Sequence, residues 1–156
     1  MGQGRVCQQT SRPPAARREF GALDILINNA AVCFNDPTLY GAREHTPFEA
    51  QASITMRVNF FGSLAVIREF LPLLRASPSP RLITFGSSAG RLSILRSQAK
   101  VELFTSPSLS VAQLEEQMGA FVAAVEAGVH AEHGWPNTCC ERTTHKIDAV
   151  VFRLIA

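Results

Sequence analysis

Leu23-Asp24-Ile25-Leu26-Ile27-Asn28-Asn29-Ala30-Ala31 is the stretch on which the fold turns. An apolar run this short suits a buried parallel strand, with Asp24 near its start and two turn-forming asparagines behind it. Leu82-Ile83-Thr84-Phe85 reads the same way and leads into Gly86-Ser87-Ser88-Ala89-Gly90. Between the two strands the residues predict one long helix. Thr46 caps it, Pro47 takes the first helical position and Glu49 completes a capping box. Phe48, Ala52, Val58, Phe61, Ala65, Phe70 and Leu74 recur at mostly helical spacing, to about Arg75, before Ser77-Pro78-Ser79-Pro80 ends the helix.

Upstream, Pro13-Pro14 opens a short helix over Ala15–Phe20, ended by Gly21, and residues 1–12 read as a disordered tail. Downstream, a long polar excursion leads to Ser110-Val111-Ala112-Gln113, another capping box, whose helix runs toward Glu126 with Gly128 as its stop. The apolar segment Ile147–Ile155 fits a helix or a strand, with the helix favoured. Strands alternating with helices imply an α/β fold with a parallel sheet, as one domain over residues 13–156. Only two strands are evident, too few for a sheet that must be covered on both faces.

Composition narrows the function. At 156 residues with 46% hydrophobic and 18% charged content, the chain is long enough for one folded core and too apolar for disorder. A net charge of +2, with no concentrated basic face, argues against nucleic acid. Cys7, Cys33, Cys139 and Cys140 match neither a disulfide framework nor a zinc pair. The start carries no apolar leader, and Val6 stands where a myristoylation pattern needs Ser or Thr. No stretch reaches the roughly 20 apolar residues of a membrane span. A cytoplasmic protein without a membrane partner is expected.

The stretch Leu23–Ala31 resembles the strand and Asn-Asn-Ala-Gly signature of short-chain dehydrogenases/reductases. Val58-Asn59-Phe60-Phe61-Gly62 resembles that family's helix with a catalytic asparagine, and Leu82–Gly90 the strand that delivers its serine. Thr46-Pro47-Phe48, Asn59-Phe60-Phe61-Gly62, Gly128-Val129-His130 and Gly134-Trp135-Pro136 sharpen the likeness to the monomeric carbonyl reductases, as does the helical insertion before the last two. The resemblance implies a partial Rossmann-like, doubly wound parallel sheet lacking the N-terminal strands. It implies NADPH-dependent reduction of a small ketone, aldehyde or quinone. Ser87, from Ser87-Ser88-Ala89-Gly90, then steadies the carbonyl oxygen on which negative charge grows. Asn59 holds a water linking the lysine to solvent, Lys146 is the lysine, and Asn28, Asn29 and Ala30 line the cofactor. No metal is expected.

The departures are specific. Ala31 stands where the signature has glycine. Counting from Gly134-Trp135-Pro136 puts the family's proton-donating tyrosine at Cys140. Counting back from Lys146 puts it at Arg142, and the one tyrosine in the sequence is Tyr40. Residues four apart share a helix face and residues six apart do not, so Cys140 cannot serve Lys146 on a continuous helix; Arg142 stays charged. Gly2 and Gly4 do not make the glycine-rich turn that takes the pyrophosphate. Weak or absent activity is therefore expected, with a non-catalytic binding or regulatory remnant as the alternative. Loss of the first strands would leave Leu23–Ile27 with an unpaired edge open to a partner. Gly86-Ser87-Ser88-Ala89-Gly90 also fits the nucleophile elbow of α/β-hydrolases through Ser88, with His130, His133 or His145 downstream. His130-Ala131-Glu132-His133, and Cys139-Cys140 with His145, lack metal-site spacing.

Overall fold

The computed structural model describes residues 6–7, 19–32, 47–86 and 92–136. Three short strands, β1 (Val6–Cys7), β2 (Ile25–Asn28) and β3 (Arg81–Thr84), form one parallel sheet in the order β1-β2-β3. Val6 pairs with Ile25 and Cys7 with Leu26, while all four residues of β2 pair with β3. The tail expected over residues 1–12 thus contributes a strand at Val6–Cys7. The β2 edge expected to lie open is paired along Ile25 and Leu26. The physical reason is that β2 presents a row of unsatisfied peptide groups, and even a two-residue segment satisfies some of them.

Residues 48–75 form one continuous helical rod: α1 (Phe48–Thr55), a π-helical segment (Met56–Gly62) and α2 (Ser63–Arg75). It starts one residue later than the sequence pattern suggests. Pro47, with ψ 145°, is the cap rather than the first helical residue, and no side chain caps the end. α2 packs on β2, and the backbone N–H of Leu23 donates to the carbonyl of Leu73 at 2.9 Å. Leu26, Phe60, Ile67 and Leu74 are fully buried between the two layers. The turn from α2 to β3 is tied to the start of β2, where the Ser77 hydroxyl donates to Asp24 Oδ1 at 2.6 Å.

Strand parity divides the sheet's two faces. Leu26 and Leu82 point to the helix-covered side and are buried, whereas Ile83 is 41% and Phe85 62% exposed. Right-handed crossovers between strands that follow one another across a sheet put their helices on the same face. The order β1-β2-β3 therefore leaves the Ile83 side without a crossover helix among the described residues.

Beyond β3, a 3-10 turn (Leu92–Ile94) precedes α3 (Gln98–Thr105) and α4 (Val111–Glu126). α3 occupies part of what the sequence reads as a polar excursion. Its cap is Ser97, which accepts from the Lys100 N–H, and its buried anchor is Phe104. α4 matches expectation at both ends. Ser110 and Gln113 form the reciprocal capping box. At the other end Gly128 (φ 73°) closes a Schellman motif, with Val129 N–H on Ala124 O at 2.9 Å and Gly128 N–H on Val125 O at 3.0 Å. α4 packs on α1 and the π segment.

Trp135 is the hub of this side. Its ring meets Phe121 and Phe104, with centroids 5.4 and 6.3 Å away, and Lys100 Nζ lies 3.7 Å from its centroid. Burial holds the Lys100 ammonium below the usual lysine range, while the ring face attracts the charged form. Gly134 makes the seat possible. It has φ 71°, and a Cβ there would meet Ser97 Cβ at 2.5 Å.

Gly134→Ala is expected to lower stability by about 2–4 kcal/mol, from left-handed strain and overpacking together. Gly128→Ala, with φ 73° but open space around it, should cost only about 1–2 kcal/mol. Urea midpoints of the two variants test the order; equal losses would mean that the Ser97 contact does not constrain the turn.

Candidate functional site

Parallel strands bring all their carboxyl ends to one edge, and open α/β sheets bind ligands just outside that edge. Here the edge is made by Asn28, the last residue of β2, and Thr84, the last of β3, which are register partners. Both follow the parity of Leu26 and Leu82 and so lie on the helix-covered side. Asn28 is 3% exposed. Its backbone carbonyl accepts from the Phe85 N–H at 3.1 Å, extending the ladder by one step. Its side-chain oxygen and nitrogen, however, are buried with no hydrogen-bond partner, and so is the Thr84 hydroxyl. Leaving such groups unsatisfied costs about 1–3 kcal/mol each.

After Asn28 the chain turns outward: Asn29, Ala30 and Ala31 are exposed. What fixes this turn is Asn59, 1% exposed within the π segment. Its Oδ1 accepts from the Val32 N–H at 2.8 Å and its Nδ2 donates to the Val32 carbonyl at 2.9 Å. The side-chain amide acts as a stand-in peptide group, closing a two-bond ring with the backbone. The π segment is a kind of helix irregularity found frequently at functional sites. A Cβ on Gly62 would sit 3.1 Å from the Arg57 carbonyl, so glycine suits the wider turn.

Of the residues singled out from the sequence, Asn28, Asn29, Ala30 and Asn59 are thus gathered around one loop. The side chain that the resemblance assigns to a water relay is engaged here with Val32. Ser87 and Lys146 lie outside the described residues, as do Thr46, Ser88, Tyr40, Cys140, Arg142, His145 and the segment Ile147–Ile155. Thr84 was not singled out; its alternation with Leu82 places it on the helix-covered side, and the strand register sets it beside Asn28. His130, whose ring centroid is 5.0 Å from that of Phe48, packs in the second helical layer.

With this geometry in place, comparison with known proteins is decisive for the family. The model of the short chain dehydrogenase family matches residues 8–99. The chain belongs to the short-chain dehydrogenase family. Within that family it is similar to the carbonyl reductases: 35% identical over 122 residues to carbonyl reductase (NADPH) 1 of Mus musculus, and 33% over 123 residues to that of Homo sapiens. Each match covers 78% of this chain but only 41% and 42% of the relative, so the chain spans about two-fifths of the length of the curated relatives it matches. Two solved short-chain dehydrogenase folds superpose on it. Salutaridine reductase from Papaver somniferum has a TM-score of 0.76 at 20% identity, covering 91% of this chain and 58% of that one. Menthone neomenthol reductase from Mentha piperita has a TM-score of 0.72 at 24% identity, covering 92% and 60%. They show a shared Rossmann-like α/β architecture.

A nicotinamide nucleotide is the cofactor that this family implies. The fit can be judged from the residues present: an uncharged amide and a hydroxyl, buried and unpaired at the carboxyl edge of a parallel sheet, suit the uncharged end of such a nucleotide.

Asn59→Ala should strand the Val32 N–H and carbonyl together and cost about 2–4 kcal/mol. Asn59→Asp should not rescue it, since a carboxylate can accept from Val32 but has nothing to donate. Amide hydrogen exchange at Val32 would show the loop released in Asn59→Ala, and urea melts would show the loss of stability in both variants. Retained protection in Asn59→Ala would refute the tie.

Proposed function

We propose that this chain derives from an NADPH-dependent carbonyl reductase and, as it stands, reduces ketones, aldehydes or quinones weakly or not at all. Similarity to NADPH carbonyl reductases over 78% of the chain supports the ancestry. The observation that carries the loss lies inside the sequence. Where the family has a tyrosine one helical turn before its lysine, Arg142 precedes Lys146 by four residues, and the alternative anchor falls on Cys140.

NADPH, when bound, supplies the hydride. The chain's own residues are left the remaining tasks. Asn28, Asn29 and Ala30 line the cofactor, with Asn59 holding their loop. The Ser87 hydroxyl donates to the carbonyl oxygen as charge accumulates there. Lys146, by its place in the sequence motif, is the lysine whose charge would favour release of a proton from a phenol one helical turn before it. Arg142 carries no proton it can give up near neutral pH. The same proposal places the chain in the cytoplasm, acting on a small carbonyl compound. Among the described residues no helix is long and apolar enough to cross a membrane.

Purified chain should oxidise NADPH at near-background rates with a quinone or ketone acceptor. Arg142→Tyr, which restores the four-residue spacing, should raise the rate at least about tenfold, against the 10²–10⁴ that a general acid commonly contributes. Cys140→Tyr, six residues from Lys146, should not. Robust turnover by the unaltered chain would overturn the proposal. NADPH binding without turnover in Arg142→Tyr would favour a non-catalytic binding or regulatory protein.

A further inference from the structure

The strand order β1-β2-β3 leaves the outer edge of β3 without a partner strand among the described residues. We propose that this edge pairs with its own counterpart in a second copy of the chain, antiparallel about a two-fold axis at Ile83, so that two sheets join into one. The pairing needs neither cofactor nor catalysis, and no motif of the sequence points to it.

Backbone alternation decides which groups face outward. Arg81 and Phe85 donate their N–H groups to the carbonyls of Asp24 and Asn28, toward β2. The odd-numbered residues of β3 are thus bonded inward, and the peptide groups of Leu82 and Thr84 point to the open edge. An antiparallel partner can bond these only through outward-facing residues of its own. Setting Leu82 opposite Thr84 of the second copy, and Thr84 opposite its Leu82, uses all of these groups, each pair exchanging both N–H···O bonds. A slip of two residues one way brings in Pro80, which has no N–H to give. A slip the other way carries Arg81 past Phe85 of the second copy. The same register matches the side chains on the face opposite the helices. There Ile83 meets its own copy in the closer, non-hydrogen-bonded kind of pair. Arg81 lies across from Phe85, where guanidinium and ring attract, and no two arginines are opposed. Arg81, Ile83 and Phe85 are all exposed in the single chain, and α2 lies over β2, one strand in from this edge. A two-fold interface requires such self-complementarity, with one residue on another and the second on the first; that is why the occupant is a second copy. An edge of four residues buries less than the roughly 1,200 Å² of a standard interface, so the dimer is weak and reversible.

Sedimentation equilibrium of the full chain, from about 10 µM to about 1 mM, should show a reversible monomer–dimer equilibrium. Over the same range the amides of Leu82 and Thr84 should gain protection from hydrogen exchange, while that of Ile83, which faces β2, should not change. Phe85→Lys sets a like charge across from Arg81 twice per dimer and should raise the dissociation constant at least about tenfold. Phe85→Glu is as polar but sets opposite charges there, and should hold the constant within about threefold. Ile83→Lys opposes two ammonium groups at the axis and should abolish association, whereas Ile83→Val should keep it. A chain that stays monomeric at about 1 mM would overturn the dimer. So would protection of the Leu82 and Thr84 amides that ignores concentration, since a segment of the same chain, such as Ile147–Ile155, would then hold the edge. Equal losses in Phe85→Lys and Phe85→Glu, with both amides unprotected, would mean association through the apolar face and would overturn the edge pairing.

Discussion

Among the described residues, a parallel sheet three strands wide is held by one long apolar rod laid across it. The helix from Phe48 to Arg75 supplies Phe60, Ile67 and Leu74 to the layer against Leu26, and its far end is fastened by Leu23 on Leu73. The described residues of the candidate site all hang from this pairing. The strands set the height of Asn28 and Thr84, and the rod sets the position of Asn59. Where the rod loosens into a π segment, it does so at the turn that reaches the loop after β2. Thus the feature that holds the fold together also delivers the amide that shapes the candidate site.

Much of this was legible in the sequence because it depended on local pattern. The Leu23–Ile27 run and the Leu82–Phe85 run each predicted a strand, found one or two residues displaced. The Ser110 box and the Gly128 stop were readable because capping chemistry acts within a few residues. The chain was harder to read where nonlocal partners decide. Val6–Cys7 has nothing strand-like around it and pairs only because β2 has an edge to satisfy. α3 looks polar in one dimension, and its anchor Phe104 becomes meaningful only when Trp135 arrives from thirty residues on.

The site shows the same division. Asn59 stood out from its motif, yet its bonds to Val32 could not be read from spacing. Thr84 was visible as one residue in an apolar strand, and only the register with Asn28 makes its hydroxyl unusual. Departures from the family signature near the C-terminal side, at Cys140 and Arg142, are the converse case. They are plain in the sequence because the chemistry demands one residue type at one spacing, so a mismatch there speaks without coordinates.

The wetted side of the sheet has a different kind of consequence. Ile83 and Phe85 place methyl and ring carbons in water where a doubly layered domain would hide them. A surface of this kind gives a protein some of the behaviour of a weak surfactant. Two apolar side chains side by side on one sheet face favour association as concentration or excluded salt rises, and a net charge of +2 opposes it only weakly.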